Sequence, residues 1–150
     1  MSRRLNRREA LNVGVGAFAA GLGSAAGPAR ALNGYADEIN KFTGGKTPVE
    51  GRVRLELPEL AENGNTVPLS VAVDCAAGES AHVQEVLVVA PANPNPRVIR
   101  FRFSALSVPE ASTRIRLAAT QDVIAVAKLS DGTFFSASRQ IKVTIGGCGG

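Results

Sequence analysis

Residues 121–135 read Gln121-Asp122-Val123-Ile124-Ala125-Val126-Ala127-Lys128-Leu129-Ser130-Asp131-Gly132-Thr133-Phe134-Phe135. The run over 123–129 is largely apolar and stops at Asp-Gly. That dipeptide supplies the positive φ that a tight hairpin requires, so Thr133-Phe134-Phe135 opens a returning strand. Beyond it, Ile141, Val143 and Ile145 alternate with Lys142 and Thr144, and the period of two sends the three apolar residues inward. Upstream the same period recurs. Val53, Leu55 and Leu57 alternate with Arg52, Arg54 and Glu56; Pro58 ends that run and Asn63-Gly64 marks a turn. Leu69, Val71 and Val73 alternate with Ser70, Ala72 and Asp74, a register that would carry Cys75 to the core at a strand end. The predominantly apolar run over 83–89 has the composition of a central strand. Residues 91–96, with three prolines, form a loop. Ile99, Phe101 and Phe103 then alternate with Arg100 and Arg102, and residues 113–117 alternate again.

About seven or eight strands at intervals of roughly 10–15 residues, with no helix long enough for a crossover, predict an immunoglobulin-like antiparallel β-sandwich. One short helix is expected over 34–43. There Tyr35, Ile39 and Phe42 share a face, and Gly44-Gly45 stops the chain from continuing as helix. The Arg-bearing faces (Arg100, Arg102, Arg114, Arg116) are expected to be solvated outer faces.

The chain has 150 residues, 45% hydrophobic and 20% charged, which suits one ordinary globular domain. One His and two Cys are too few for a zinc site built from three or four such ligands, and no cofactor is expected. A net charge of +4 would suit a nucleic-acid binder, but the excess is local. The first 31 residues hold Arg3, Arg4, Arg7, Arg8 and Arg30 against one acid, Glu9. Removing them leaves twelve basic and twelve acidic residues, so nucleic acid is dropped as a partner.

That segment has the layout of an export signal. A charged region over 2–9 precedes a Gly/Ala-rich apolar stretch over 10–27, and Ala29-Arg30-Ala31 places small residues at −3 and −1 of a cleavage after Ala31. The stretch is too weakly hydrophobic for a membrane anchor. Arg7-Arg8 with Leu11 resembles a twin-arginine signal, although Asn6 and Ala10 replace its usual Ser/Thr and Phe. The expected organisation is a cleaved signal over 1–31, a sandwich over 32–145 and an arm over 146–150, in a bacterial periplasm and off the membrane after cleavage.

The arm reads Gly146-Gly147-Cys148-Gly149-Gly150. Glycine loses the most conformational freedom on ordering, so four of them are expected to keep the arm mobile. The lack of side chains beside Cys148 lets its thiol enter a narrow channel in another protein. No base or cation is its sequence neighbour, and an exposed thiol with a reference pKa of about 8.5 is mostly protonated at neutral pH. The pattern points to a carrier thiol activated by partner enzymes, not to a catalyst. A Cys75–Cys148 disulfide, or an assembly module that uses Cys148 for an intermolecular disulfide, fits the same residues. A thiol oxidoreductase is disfavoured because no Cys-x-x-Cys is present.

The arm, the twin-arginine-like leader, the Asn-Pro loop at 93–96 and the run from Ser112 to Gln121 leading to residues 126–134 together resemble the SoxY family. These are the sulfur-carrying subunits of the SoxYZ complexes of thiosulfate-oxidising bacteria. Phe135 stands where that pattern has Trp, and Cys75 is not part of it. The resemblance implies that Cys148 carries thiosulfate-derived intermediates covalently. A haem-containing SoxAX enzyme would join thiosulfate to the thiol, SoxB would release sulfate by hydrolysis, and SoxCD would oxidise the sulfane sulfur that remains. It also implies SoxZ, a small β-protein, as the tight partner in a heterodimer or larger assembly.

Overall fold

The computed structural model describes residues 27–75 and 79–147, with side chains from residue 34 onward. The export-signal reading over 1–31 thus falls mostly outside the described residues, as do Cys148, Gly149 and Gly150. The helix α1 spans Gly27–Thr43, longer at its start than the sequence pattern required. Gly44 and Gly45 take φ of 64° and 84°, and the Gly45 N–H donates to the Asn40 carbonyl at 3.1 Å, closing the helix as expected.

Nine strands follow: β1 (Val49–Glu50), β2 (Val53–Glu56), β3 (Leu60–Ala61), β4 (Val67–Val73), β5 (Val83–Val89), β6 (Arg97–Arg102), β7 (Glu110–Ile115), β8 (Gln121–Leu129) and β9 (Phe134–Val143). They form a sandwich. One sheet runs β1-β9-β8-β5-β6, with β3 also pairing β9, and the other runs β2-β4-β7. All pairings are antiparallel except those of the two-residue strands β1 and β3, which lie parallel to β9.

The 131–132 hairpin is a single long β8–β9 ribbon. The segments expected near 133–135 and 141–145 are one strand, because Ser136, Ser138 and Arg139 draw their backbone bonds from β8 whatever their polarity. Ile141 is fully buried, but β9 ends at Val143 and Ile145 is 67% exposed, so its expected inward position is wrong. Past Val143 the chain has run beyond the end of β8 and crosses toward Gly64, where the period of two no longer applies.

The core between the sheets takes Val53, Leu55, Val67, Leu69, Val71, Val86, Val88, Ile115, Leu117, Val123, Ala125 and Ile141. The unbroken apolar stretch of β5 has a physical reason. Val86 and Val88 face the other sheet, while Leu87 and Val89 face α1. The predicted helix face is the one that docks: Tyr35, Ile39 and Phe42 pack with Leu87, Val89, Ile124, Val126 and Phe134. Phe42 meets Phe134 edge-on, with ring centroids 5.9 Å apart and an interplanar angle of 71°. The Arg faces are solvated; Arg100 and Arg102 reach Glu85 at 3.8 and 3.0 Å, and Arg100 lies 5.3 Å over the Phe42 ring.

Candidate functional site

The antiparallel register divides the sandwich into two ends. At one lie the 62–66 turn, the 90–96 loop, the 116–121 connection and residues 144–147, where the chain leads to Cys148. At the other lie Cys75, the β8–β9 hairpin and the start of β5.

At the first end the chain after β9 is held by backbone hydrogen bonds. Gly64 donates its N–H to the Ile145 carbonyl at 2.7 Å and accepts the Leu117 N–H at 2.8 Å. The Leu117 carbonyl in turn accepts the Gly147 N–H at 2.9 Å. These contacts are closer than any side chain permits. A Cβ on Gly64 would overlap the Leu117 carbonyl oxygen, and one on Gly146 would overlap that of Ala118. A Cβ on Gly147 would lie 2.6 Å from both the Asn65 nitrogen and the Gly64 carbonyl oxygen. Gly146 and Gly147, expected to be mobile, are held here, and their need to be glycine is close approach to backbone.

The 116–119 segment is itself fixed from behind. Asn93 is buried in the Asn-Pro loop and donates from Nδ2 to the Arg116 carbonyl at 2.9 Å. Its Oδ1 accepts the Ala118 N–H at 2.9 Å and a Gln121 Nε2–H at 3.1 Å. Buried Gln121 also donates to the Ala119 carbonyl at 3.1 Å, and its Oε1 accepts the Ala92 N–H at 2.8 Å. Every polar atom of this pair has a partner, as a buried network requires. The sequence placed Gly64 in a turn and Asn93 in a loop, and the 93–96 loop and the run ending at Gln121 entered also through the family resemblance; none of the three residues was given a role beside the arm. The usable signal was an Asn-Gly turn and an Asn-Pro loop that converge on the residues before Cys148.

Beside this end a groove of about 420 Å³ runs between β6 and β7, lined in part by Arg97, Ile99, Arg114 and Arg116. Arg114 and Arg116 have no carboxylate partner among the described residues, so the groove presents positive charge.

Cys75 is not in the core. It is exposed because it lies past the end of β4, beyond the last rung to the β2 side, where the Asp74 N–H donates to the Arg52 carbonyl at 2.7 Å. Gly147 lies near the Val67 end of β4 and Cys75 beyond the Val73 end. Six steps of strand separate those ends by roughly 20 Å. A disulfide needs Cα atoms within about 7 Å; Cys148, and with it the Cys75–Cys148 bridge, lies outside the described residues.

The two groups with shifted pKa values also lie at the Cys75 end. The hydroxyl and N–H of Thr133 both donate to Asp131 Oδ1, at 2.6 and 2.9 Å, and hold its carboxyl below the usual range. A two-pronged hydrogen bond to Glu79 holds the Arg52 guanidinium above its usual value. Among the described residues no three His, Cys, Asp or Glu side chains converge as a metal site, and no helix is long and apolar enough to cross a membrane.

Comparison with known proteins agrees with the β-sandwich. No curated protein matches the chain in sequence. The fold is similar to that of the sulfur carrier protein SoxY from Chlorobium limicola f thiosulfatophilum, with 31% identity, a TM-score of 0.62, and coverage of 75% of this chain and 98% of that one. A superoxide reductase (neelaredoxin) from Ignicoccus hospitalis matches at 16% identity and a TM-score of 0.55, covering 62% of this chain and 80% of that one. A superoxide reductase from Nanoarchaeum equitans matches at 14% and 0.52, covering 64% and 100%. At such identities these two share only the fold. The family model of the sulfur oxidation protein SoxY spans residues 39–148, from the middle of α1 to the arm cysteine, and the chain belongs to the SoxY family.

Proposed function

We propose that this chain is a periplasmic sulfur carrier of thiosulfate oxidation whose Cys148 holds the cargo covalently. The observation that carries the reading is that the family match runs to Cys148, which follows directly on the Gly146-Gly147 seat. The chemistry asked of the protein is small. The thiol loses a proton, its sulfur bonds to the sulfane sulfur of thiosulfate, and two electrons pass to a haem enzyme of the SoxAX type. Hydrolysis by a SoxB-type enzyme then releases sulfate, and a SoxCD-type enzyme oxidises the sulfur left on Cys148. The chain presents substrate and is not itself the enzyme. Arg114 and Arg116, without a carboxylate partner among the described residues, lie beside the arm end and suit an anionic cargo.

A SoxZ-like β-protein is the partner in this reading. Support comes from Leu106 and Val108, which are 98% and 71% exposed on the β6–β7 connection, and from β6 and β7, each the edge of its sheet. Solvent-facing apolar residues beside open sheet edges are stabilised by a covering partner.

The test is thiosulfate-dependent turnover with purified partner enzymes. Cys148→Ser should abolish it while leaving the fold intact, because a hydroxyl cannot form the sulfur–sulfur bond. Turnover by Cys148→Ser at the parent rate would refute the carrier role.

A further inference from the structure

We infer that Gly64, Asn93 and Gln121 are positioning residues for the carrier arm: they seat Gly146 and Gly147 and so fix the point from which Cys148 is presented. The inference deepens the carrier reading and rests on it. Mobility alone would ask nothing of Gly64, which lies 82 positions before Gly146. Yet these two glycines and Gly147 approach backbone so closely that none admits a Cβ. Both backbone groups of Gly64 and both of Leu117 are spent on this seat. Leu117 is fully buried, so the seat is tied to the core, and the Asn93–Gln121 pair fixes the segment from behind.

The seat sets the geometry of delivery. With Gly147 held, the Cα of Cys148 stays within 3.8 Å of a fixed atom. With the chain free from Ile145 onward it would sweep a radius of roughly 10 Å at about 3.3–3.6 Å per residue. Holding the pivot keeps the thiol at one exit of the sandwich and confines the cone of orientations that a partner enzyme must capture. Positioning of this kind lowers the entropic barrier of a transfer step without changing the intrinsic reactivity of the thiol.

The experiment uses the full chain with Cys75→Ser, so that Cys148 is the one reactive thiol. Gly64→Ala and Gly147→Ala each unseat the arm. The second substitution lies after the last strand and leaves the sandwich to fold. Nitrogen-15 relaxation and amide exchange report the seat directly: Gly147 should be as ordered as β9 and protected at least tenfold in the parent, and should lose both in either variant. Alkylation of Cys148 by iodoacetamide should keep its parent rate, whereas enzyme-catalysed loading with thiosulfate should fall at least tenfold. A purely structural role would not split these two readouts. Parent Gly147 relaxing like Gly150, or Gly147→Ala loading at the parent rate, would overturn the inference. Loading of a Cys148→Ser chain would instead overturn the carrier reading, while the relaxation result for the seat would stand.

Discussion

Replacing Asn93 with Ala tests how the polar pair supports the arm end. The side chain makes three hydrogen bonds, to the Arg116 carbonyl, the Ala118 N–H and Gln121 Nε2, at 2.9, 2.9 and 3.1 Å. Gln121 keeps its bond to the Ala119 carbonyl, so two backbone groups lose their partner. Each buried orphan costs about 1–3 kcal/mol. The neighbouring groove admits water to part of the site and favours the low end of that range, for a total of about 2–4 kcal/mol. The assay is urea unfolding followed by circular dichroism, with the midpoint shifted and the slope unchanged. Ser70→Ala is the control. Its hydroxyl bonds Ser112 at 2.8 Å on an exposed face, where loss should cost about 0.5 kcal/mol or less. A loss below about 0.5 kcal/mol for Asn93→Ala would show that the 116–119 segment is held by its own backbone, and would refute the reasoning.

Phe42→Ala removes the anchor of α1 and should cost about 3–5 kcal/mol, read as a lowered unfolding midpoint. Asp131→Ala removes the acceptor for Thr133 at the hairpin. Because the folded carboxyl titrates below the unfolded value of about 3.9, its contribution is present above that pH and is lost as pH falls through the folded value. The gap in melting temperature between parent and Asp131→Ala should therefore be open at pH 6 and close on acidification below about 4. Cys75→Ser, at an exposed site after β4, should stay within about 0.5 kcal/mol of the parent in denaturant melts.

Particular residues show how far the sequence could be read. Val53, Leu55, Leu69, Val71 and Val73 betrayed their strands because one face of each is core and the other water, and period two survives wherever that holds. The α1 face was legible for the same reason at period 3.6. Cys75 and Ile145 were misplaced because each was extrapolated one step past the end of a ladder, and a ladder ends where its partner strand ends, which lies elsewhere in the chain. The proposal for Cys148 could be drawn from the sequence because Gly-Gly-Cys-Gly-Gly is a local pattern, contiguous in the chain. The seat beneath it could not. A close approach between Gly64 and Gly147 and a buried Asn93–Gln121 pair join residues from four separate segments, and no local pattern records such a meeting.

The central claim is that Cys148 bears the sulfur cargo. The direct measurement is mass spectrometry of the protein purified from its native cells supplied with thiosulfate, digested without reductant. The peptide containing Cys148 should carry thiosulfonate or sulfane-sulfur adducts that reductant removes, and the peptide containing Cys75 should carry none. Unmodified Cys148, or Cys148 found only in disulfide-linked dimers, would contradict the account.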